Sequence, residues 1–353
     1  MAGDSMSTAR PRAEIVELQY LRAIAVLMVV IGHLHQAGGR FTGADILGPV
    51  GYLGFAGVDV FFVISGFIIH TLYRSAKRPT ASYALKRLNR IYPLYWIFTA
   101  LALLGYLAMG DSLTRQITDI DWLTTVALLP SSQPPLLLVG WTLIHEIYFY
   151  LVYGLLLFLP GRWRWAAIAT WLGLTLLAQT SWLAPTNPWS ALVLSPFNLL
   201  FIAGLGLAEL RPHLARTRWI ALPILLVGVA IATRWTATYG LDGLADAGNR
   251  VLAFLTLAIA LVWTVLAWQP RWHAALTGIG DWSYAIYLGH LLVIGTLARI
   301  IGRLVEPGLA STLALYMSGL ALSLALGFLT HRFVEMPLLA AGKKQIAKLK
   351  RDE

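Results

Sequence analysis

Apolar runs close to or above the roughly 20 residues needed to cross a bilayer recur along the whole of this 353-residue chain. Ten are read, bounded by Arg, Lys, Pro, Gly or Trp: about Leu18 to His35, Phe55 to Tyr73, Ile91 to Ala108, Trp141 to Leu159, Trp165 to Ala178, Ser190 to Glu209, Trp219 to Thr233, Val251 to Trp268, Trp282 to Ile301 and Leu309 to Thr330. The fifth and seventh are the shortest. With 58% of residues hydrophobic and only 12% charged, the chain carries about half the charge of a soluble domain, and a soluble core could not absorb so much apolar surface. The expectation is an all-α, polytopic integral membrane protein with about ten transmembrane helices.

Orientation follows from Lys and Arg, because positive residues in short loops stay in the cytoplasm. With a cytoplasmic N-terminus, twenty of the 27 fall on the cytoplasmic side: Arg10 and Arg12, six from Arg74 to Arg90, Arg162 and Arg164, three from Arg211 to Arg218, Arg271, and six from Arg332 to Arg351. The opposite loops hold five, namely Arg40, Arg115, Arg234, Arg250 and Arg303, and Arg22 and Arg299 lie inside spans. Both termini are therefore expected in the cytoplasm. The net charge of +10 is placed beside helix ends, as orientation and anionic inner-leaflet lipid require, so no nucleic-acid partner is expected. No cleavable leader is expected, since the first seventeen residues are polar and the first apolar run is a full span. The absence of cysteine excludes disulfides, Cys metal sites and a thiol nucleophile. We read one transmembrane domain over residues 1–342 and a basic cytoplasmic tail over 343–353, so the chemistry must sit in or between helices.

A charge within a span costs about 2.5 to 3.5 kcal/mol on insertion scales, so each needs a partner or a task. Arg22 and His33 are 11 residues apart, which returns them to within roughly 20° of one helix face, about 16 Å apart along the axis. That face carries a cation toward the cytoplasm and an imidazole toward the far side, and a pocket along it would touch ligands from both compartments. The plainer alternative is a snorkelling Arg22 and a His33 bonded to a neighbouring carbonyl. His35 points roughly the other way.

Five ordered elements carry a resemblance. Leu18-Gln19-Tyr20-Leu21-Arg22-Ala23-Ile24-Ala25-Val26 leads to Ile31-Gly32-His33, and is followed by Gly57-Val58-Asp59-Val60-Phe61-Phe62-Val63-Ile64-Ser65-Gly66-Phe67. Next come Arg87-Leu88-Asn89-Arg90-Ile91-Tyr92-Pro93 and Trp141-Thr142-Leu143 with Glu146 and Phe149-Tyr150. Tyr284-Ala285-Ile286-Tyr287-Leu288-Gly289-His290 and Arg332-Phe333-Val334-Glu335-Met336-Pro337-Leu338 complete the series. Over nearly its whole length the chain resembles the membrane acyltransferase family 3, and most closely its exopolysaccharide-modifying branch. It departs from the family's Trp-Ser-Leu by a Thr that keeps the hydroxyl.

The resemblance implies transfer of an acyl group, usually acetyl, from cytoplasmic acyl-CoA to a hydroxyl of a carbohydrate or glycolipid, in the inner membrane. It implies acetyl-CoA, or another acyl-CoA, as co-substrate and no tightly bound cofactor. Arg22 and His33 meet the family's Arg-x10-His spacing. His33 then suits the base, or a transient acyl carrier, because imidazole titrates near operating pH. Arg22, Arg87 and Arg90 suit the phosphates of coenzyme A, since guanidinium makes bidentate phosphate contacts. The same arginines are also the positive-inside signal. Asp59 and Glu146 lie near the depth of His33 and could orient it as carboxylates orient imidazoles; Asp59 has the alternative of a helix cap. Trp141, Tyr150, His35 and His290 are read as supporting residues, with His290 equally able to be a buried histidine satisfied by a neighbouring helix.

No soluble His-x4-Asp acyltransferase pattern, Gly-x-Ser-x-Gly elbow, phosphate loop or His-Glu-x-x-His zinc helix is present. A transporter is the competing class, because it too keeps charges inside a bundle, but no inverted repeat or matched pair of broken helices is visible. The acceptor and the oligomeric state are not written in the sequence.

Overall fold

The computed structural model describes residues 15–76, 81–109, 120–180 and 182–352. Arg10, Arg12, Arg78 and Arg115 lie outside them. The fold is all-α, with no strand among the described residues, as a lipid-embedded backbone requires when it has no water to satisfy its polar groups. In chain order the helices are α1 (Val16–Phe41), α2 (Ala56–Tyr73), α3 (Ala81–Met109), α4 (Trp122–Ala127), α5 (Gly140–Leu156), α6 (Gly161–Leu177), α7 (Pro188–Val193), α8 (Asn198–Leu214), α9 (Arg218–Tyr239), α10 (Ala247–Trp268), α11 (Ala274–Leu304), α12 (Leu309–Thr330) and α13 (Met336–Asp352).

Among the described residues, seven helical stretches are long and apolar enough to cross a membrane. One of them, Pro188–Tyr239, runs 52 residues through α7, α8 and α9, and another, Leu309–Lys348, carries α12 into α13. The helices α5 and α6 have 17 residues each, or about 26 Å. The expected boundaries agree at α12 and nearly so at α2. Elsewhere they move. The helix α3 begins at Ala81 rather than Ile91, so Arg87 and Arg90 stand on a helical turn and not in a loop. Residues 343–352 of the basic tail form part of α13, and Glu353 lies outside the described residues.

Two cations counted as loop charges are buried in helices. Arg250 occupies the first turn of α10 with 9% of its surface exposed, and Arg164 in α6 has 8% exposed. Arg164 donates to the carbonyls of Leu156, Leu159, Arg74 and Ala76. It thereby satisfies acceptors that the ends of α2 and α5 leave without intrahelical partners, so its place is set by hydrogen bonding as much as by the membrane potential.

The bundle is held by close approach. The pair α1 and α11 packs most extensively, with α2 on α8, α9 on α10 and α11 on α12 close behind. Where α2 crosses α8, a Cβ on Gly66 would strike the Phe201 carbonyl and one on Gly204 the Val63 carbonyl. Small residues replace hydrophobic driving force with backbone proximity in lipid. A second approach matters more for the site. The 3-10 segment Gly48–Phe55 lies against α1, and a Cβ on Gly54 would collide with the Met28 carbonyl and the Gly32 backbone. That contact brings the next residue, Phe55, onto the ring of His33, with ring centroids 4.9 Å apart and planes at 81°.

Candidate active site

The helix α1 runs unbroken from Val16 to Phe41 and so carries both Arg22 and His33. The Nδ1 of His33 lies 2.9 Å from the Val29 carbonyl one turn below it. Since a carbonyl only accepts, Nδ1 bears the proton. The same atom lies 3.3 Å from Nε2 of His290 on α11. His290 is fully buried, and its own Nδ1 donates to the Tyr287 carbonyl at 2.7 Å, which leaves its Nε2 as an acceptor for the His33 proton. The two rings stand 4.9 Å apart at 65°. Neutral His33 is therefore the Nδ1–H tautomer, and no described protein group occupies its Nε2, whose lone pair is free.

Below this pair lies a cleft with about 770 Å³ of empty space, counting the part open to solvent. Its wall holds all three arginines that the sequence singled out, Arg22 from α1 and Arg87 and Arg90 from α3, together with Glu146 and Tyr150 from α5. Arg22 donates to Gln19 at 3.3 Å and lies within electrostatic reach of Arg90, Glu146 and Glu335. The guanidinium of Arg87 sits 5.6 Å above the Tyr150 ring, and its buried Nε has no partner. Three guanidinium groups against one lining carboxylate make a positive chamber. Phe61 and Tyr287 also line the wall, and the Tyr287 ring is 5.7 Å from that of His290. Tyr287 thus links the wall of the arginine chamber to the histidine pair.

Shared depth does not amount to contact for the two carboxylates. Glu146 Oε1 accepts from the Tyr150 hydroxyl at 2.5 Å and from Ser65 at 3.3 Å, so it faces the chamber and not His33. Asp59, fully buried in the first turn of α2, accepts from Arg250 Nη2 at 2.9 Å. Neither is it a cap, because α2 starts three residues before it. The partner of His33 is another histidine. His35 points away into a separate nest, 3.3 Å from the Tyr316 hydroxyl and 3.5 Å from Asp45.

Arg250, which the sequence reading counted as a loop charge, is the buried partner of Asp59. Its Nη2 also donates to the Phe55 carbonyl at 2.7 Å, and its guanidinium lies 5.5 Å over Trp141, 5.9 Å over Phe197 and 6.0 Å over Phe254. It fixes the backbone of the residue that packs on His33. The available signal was Asp59 itself, an acid inside a span that demanded a buried cation.

Residues 15–332 match the profile of the acyltransferase domain of family 3. The chain belongs to that family. Family 3 relatives include the exopolysaccharide production protein ExoZ of Rhizobium meliloti (strain 1021), 30% identical over 86% of this chain and 95% of that protein. Acyltransferase MdmB of Streptomyces mycarofaciens is 26% identical over 91% of this chain and 90% of its own length. Nodulation protein 10 of Rhizobium leguminosarum bv. viciae is 29% identical over 69% of this chain and 73% of that protein. No solved structure matches. This family 3 member is an acyl-transferring enzyme and, with its seven membrane-length helical stretches, a multi-pass membrane protein.

Proposed function

We propose that the chain is an inner-membrane O-acyltransferase that moves an acetyl group from cytoplasmic acetyl-CoA to a hydroxyl of a carbohydrate or glycolipid. His33 acts as the base. The observation that carries this reading is the hydrogen bonding of His33, whose Nδ1 is engaged by the Val29 carbonyl and His290 while Nε2 stays free. The acceptor hydroxyl gives its proton to Nε2 as its oxygen attacks the thioester carbonyl. The tetrahedral adduct then expels the coenzyme A thiolate, which takes the proton back from Nε2, so the enzyme ends as it began. Carbohydrate as the acceptor class draws on the similarity to an exopolysaccharide production protein.

The donor reading rests on the arginine chamber. Phosphates seated at Arg22, Arg87 and Arg90 leave the pantetheine arm to run up the chamber toward Tyr287, along the roughly 16 Å that separate Arg22 from His33 on α1. Replacing Arg22 with Ala removes a charge-assisted hydrogen bond worth about 1.5 to 3 kcal/mol. The expected result is a KM for acetyl-CoA raised by about ten- to a hundredfold, read by steady-state kinetics on inserted protein. An unchanged donor KM and turnover would remove Arg22 from the donor site.

Ten spans with both termini in the cytoplasm fit the charge asymmetry: α5, α6 and a division of the Pro188–Tyr239 stretch into α8 and α9 would supply the three crossings beyond the seven stretches. Reporter fusions after Arg78 and after Glu353 are expected to signal cytoplasm, and one at Ser132 the opposite side. An extracytoplasmic signal from the C-terminal fusion would exclude the ten-span arrangement.

A further inference from the structure

A second and larger cavity, with about 1710 Å³ of empty space counting the part open to solvent, opens at the other face of α5. The helix divides the two spaces: Thr142, Leu143, Glu146 and Tyr150 line the arginine chamber, whereas Trp141, Ile144 and His145 line the second cavity. One side chain lies between residues of both walls. Phe62 of α2, 3% exposed, lines the arginine chamber. Its ring lies 6.4 Å from Trp141, 6.1 Å from His145 and 5.4 Å from Phe197, all three of which line the second cavity.

We infer that this second cavity holds the acceptor, and that it is built for the sugar headgroup of a membrane-anchored glycan. The inference rests on the acyltransferase reading above and adds the place and chemistry of acceptor recognition. Its first support is a matched donor and acceptor on the cavity wall. His145 Nδ1 donates to the Trp141 carbonyl at 2.9 Å, so its Nε2 is a lone-pair acceptor, and no described protein group meets it. The indole N–H of Trp141 likewise has no described partner. The two rings are neighbours, with centroids 5.7 Å apart and planes at 86°. A free N–H beside a free imidazole nitrogen matches a hydroxyl, which both accepts and donates, and the indole offers an apolar face to a pyranose ring.

The second support is the mixed character of the rim. Gln133, Gln179, Asp246 and Asn249 are exposed there and supply amide and carboxylate groups for further hydroxyls. Along α10 the lining changes from Asn249 to Leu252 and Leu255 at helical spacing. Leu252 is 65% exposed on a helix of membrane-spanning length, so the polar rim continues into a strip that faces lipid. A free polysaccharide has no use for that strip, while a lipid-linked glycan does. The third support is position. Trp141 lies 5.5 Å from the Arg250 guanidinium, and Arg250 holds the Phe55 carbonyl whose side chain packs on His33, so the cavity wall reaches the base through two residues.

The absence of cysteine allows a clean test. Ala178 lines the cavity without offering a polar side chain. Ala178→Cys protein in sealed membranes is treated from outside with a bulky membrane-impermeant maleimide. After the reagent is quenched the membranes are opened with detergent, and radiolabelled acetyl-CoA is supplied with lipid-linked oligosaccharide extracted from producing cells as acceptor. The labelled protein is expected to lose about tenfold or more of its transfer rate relative to the same protein before labelling, because the reagent fills the space the ligand needs, while its acetyl-CoA affinity is unchanged. In the parallel variant Trp141→Phe, loss of one hydrogen bond is expected to raise the acceptor KM by about three- to tenfold without moving the donor KM. The oligosaccharide released from its lipid is expected to be the poorer acceptor. Failure of the maleimide to react, full transfer after labelling, an unmoved acceptor KM in Trp141→Phe, or equal use of the released glycan would overturn the inference. Absence of acyl transfer and of acetyl-CoA binding by the unlabelled, unsubstituted protein would instead overturn the acyltransferase reading beneath it.

Discussion

His33→Ala protein is expected to insert normally and to lose about 10² to 10⁴ of its acyl-transfer rate, the range supplied by a positioned general base. A packing defect would not reach that figure, since His33 is only half-buried and its one strong bond is to its own helix. His35→Ala is expected to keep substantial activity, because His35 is buried against Tyr52, Tyr316 and Asp45 on another face of α1. His290→Asn falls between them. The Val29 carbonyl alone still holds the His33 proton on Nδ1, so the tautomer survives and only the weaker 3.3 Å contact is lost.

The unsubstituted protein separates two chemistries. Direct transfer requires both substrates bound together and leaves no label on the enzyme, whereas an acyl carrier would let His33 take label from acetyl-CoA before any acceptor is added. Direct transfer is the expected outcome, since an acyl-imidazole open to water would hydrolyse. Robust acylation by His33→Ala would overturn both.

The parts of the site that were legible in the sequence are those whose geometry is local. Arg22 and His33 lie on one continuous helix, so their spacing alone fixed their relation. Glu146 and Tyr150 were singled out one by one, and it is the structure that shows them bonded across one turn of α5. The limits of α12 were legible because Gly308 and His331 bracket an uninterrupted apolar run. What was not legible is contact between distant helices. His33 and His290 are 257 positions apart, and Asp59 and Arg250 are 191 apart. Depth in the bilayer placed Asp59 and Glu146 at the level of His33, but depth gives one coordinate and a hydrogen bond needs three. Arg250 was hidden for a related reason. A cation at the edge of an apolar run reads as a loop charge, and only the fold reveals that a 3-10 segment and α2 close over it.

The Asp59–Arg250 pair gives the second large expected effect. Asp59 has no exposed surface, and Arg250 is enclosed by Trp141, Phe197 and Phe254. Removing one member of such a pair leaves an uncompensated buried charge and costs about 3 to 5 kcal/mol. Arg250→Met is therefore expected to unfold at markedly lower temperature in detergent, a shift measurable by thermal size-exclusion chromatography. The double variant Asp59→Asn with Arg250→Met removes both charges and is expected to recover most of that loss, because a neutral pair of similar volume carries no such penalty. Stability and catalysis should then part. Arg250 also holds the Phe55 carbonyl at 2.7 Å, and neither substituted side chain replaces that donor at the same place, so Phe55 is no longer fixed against the His33 ring. A misplacement of about 1 Å at a reacting group can cost about a hundredfold in rate. The double variant is accordingly expected to be stable but slow, with its acetyl-CoA KM unchanged because the arginine chamber is untouched. An Arg250→Met protein as stable as the unsubstituted one would mean that Asp59 is held neutral and that the pair is not the ionic clamp its geometry describes.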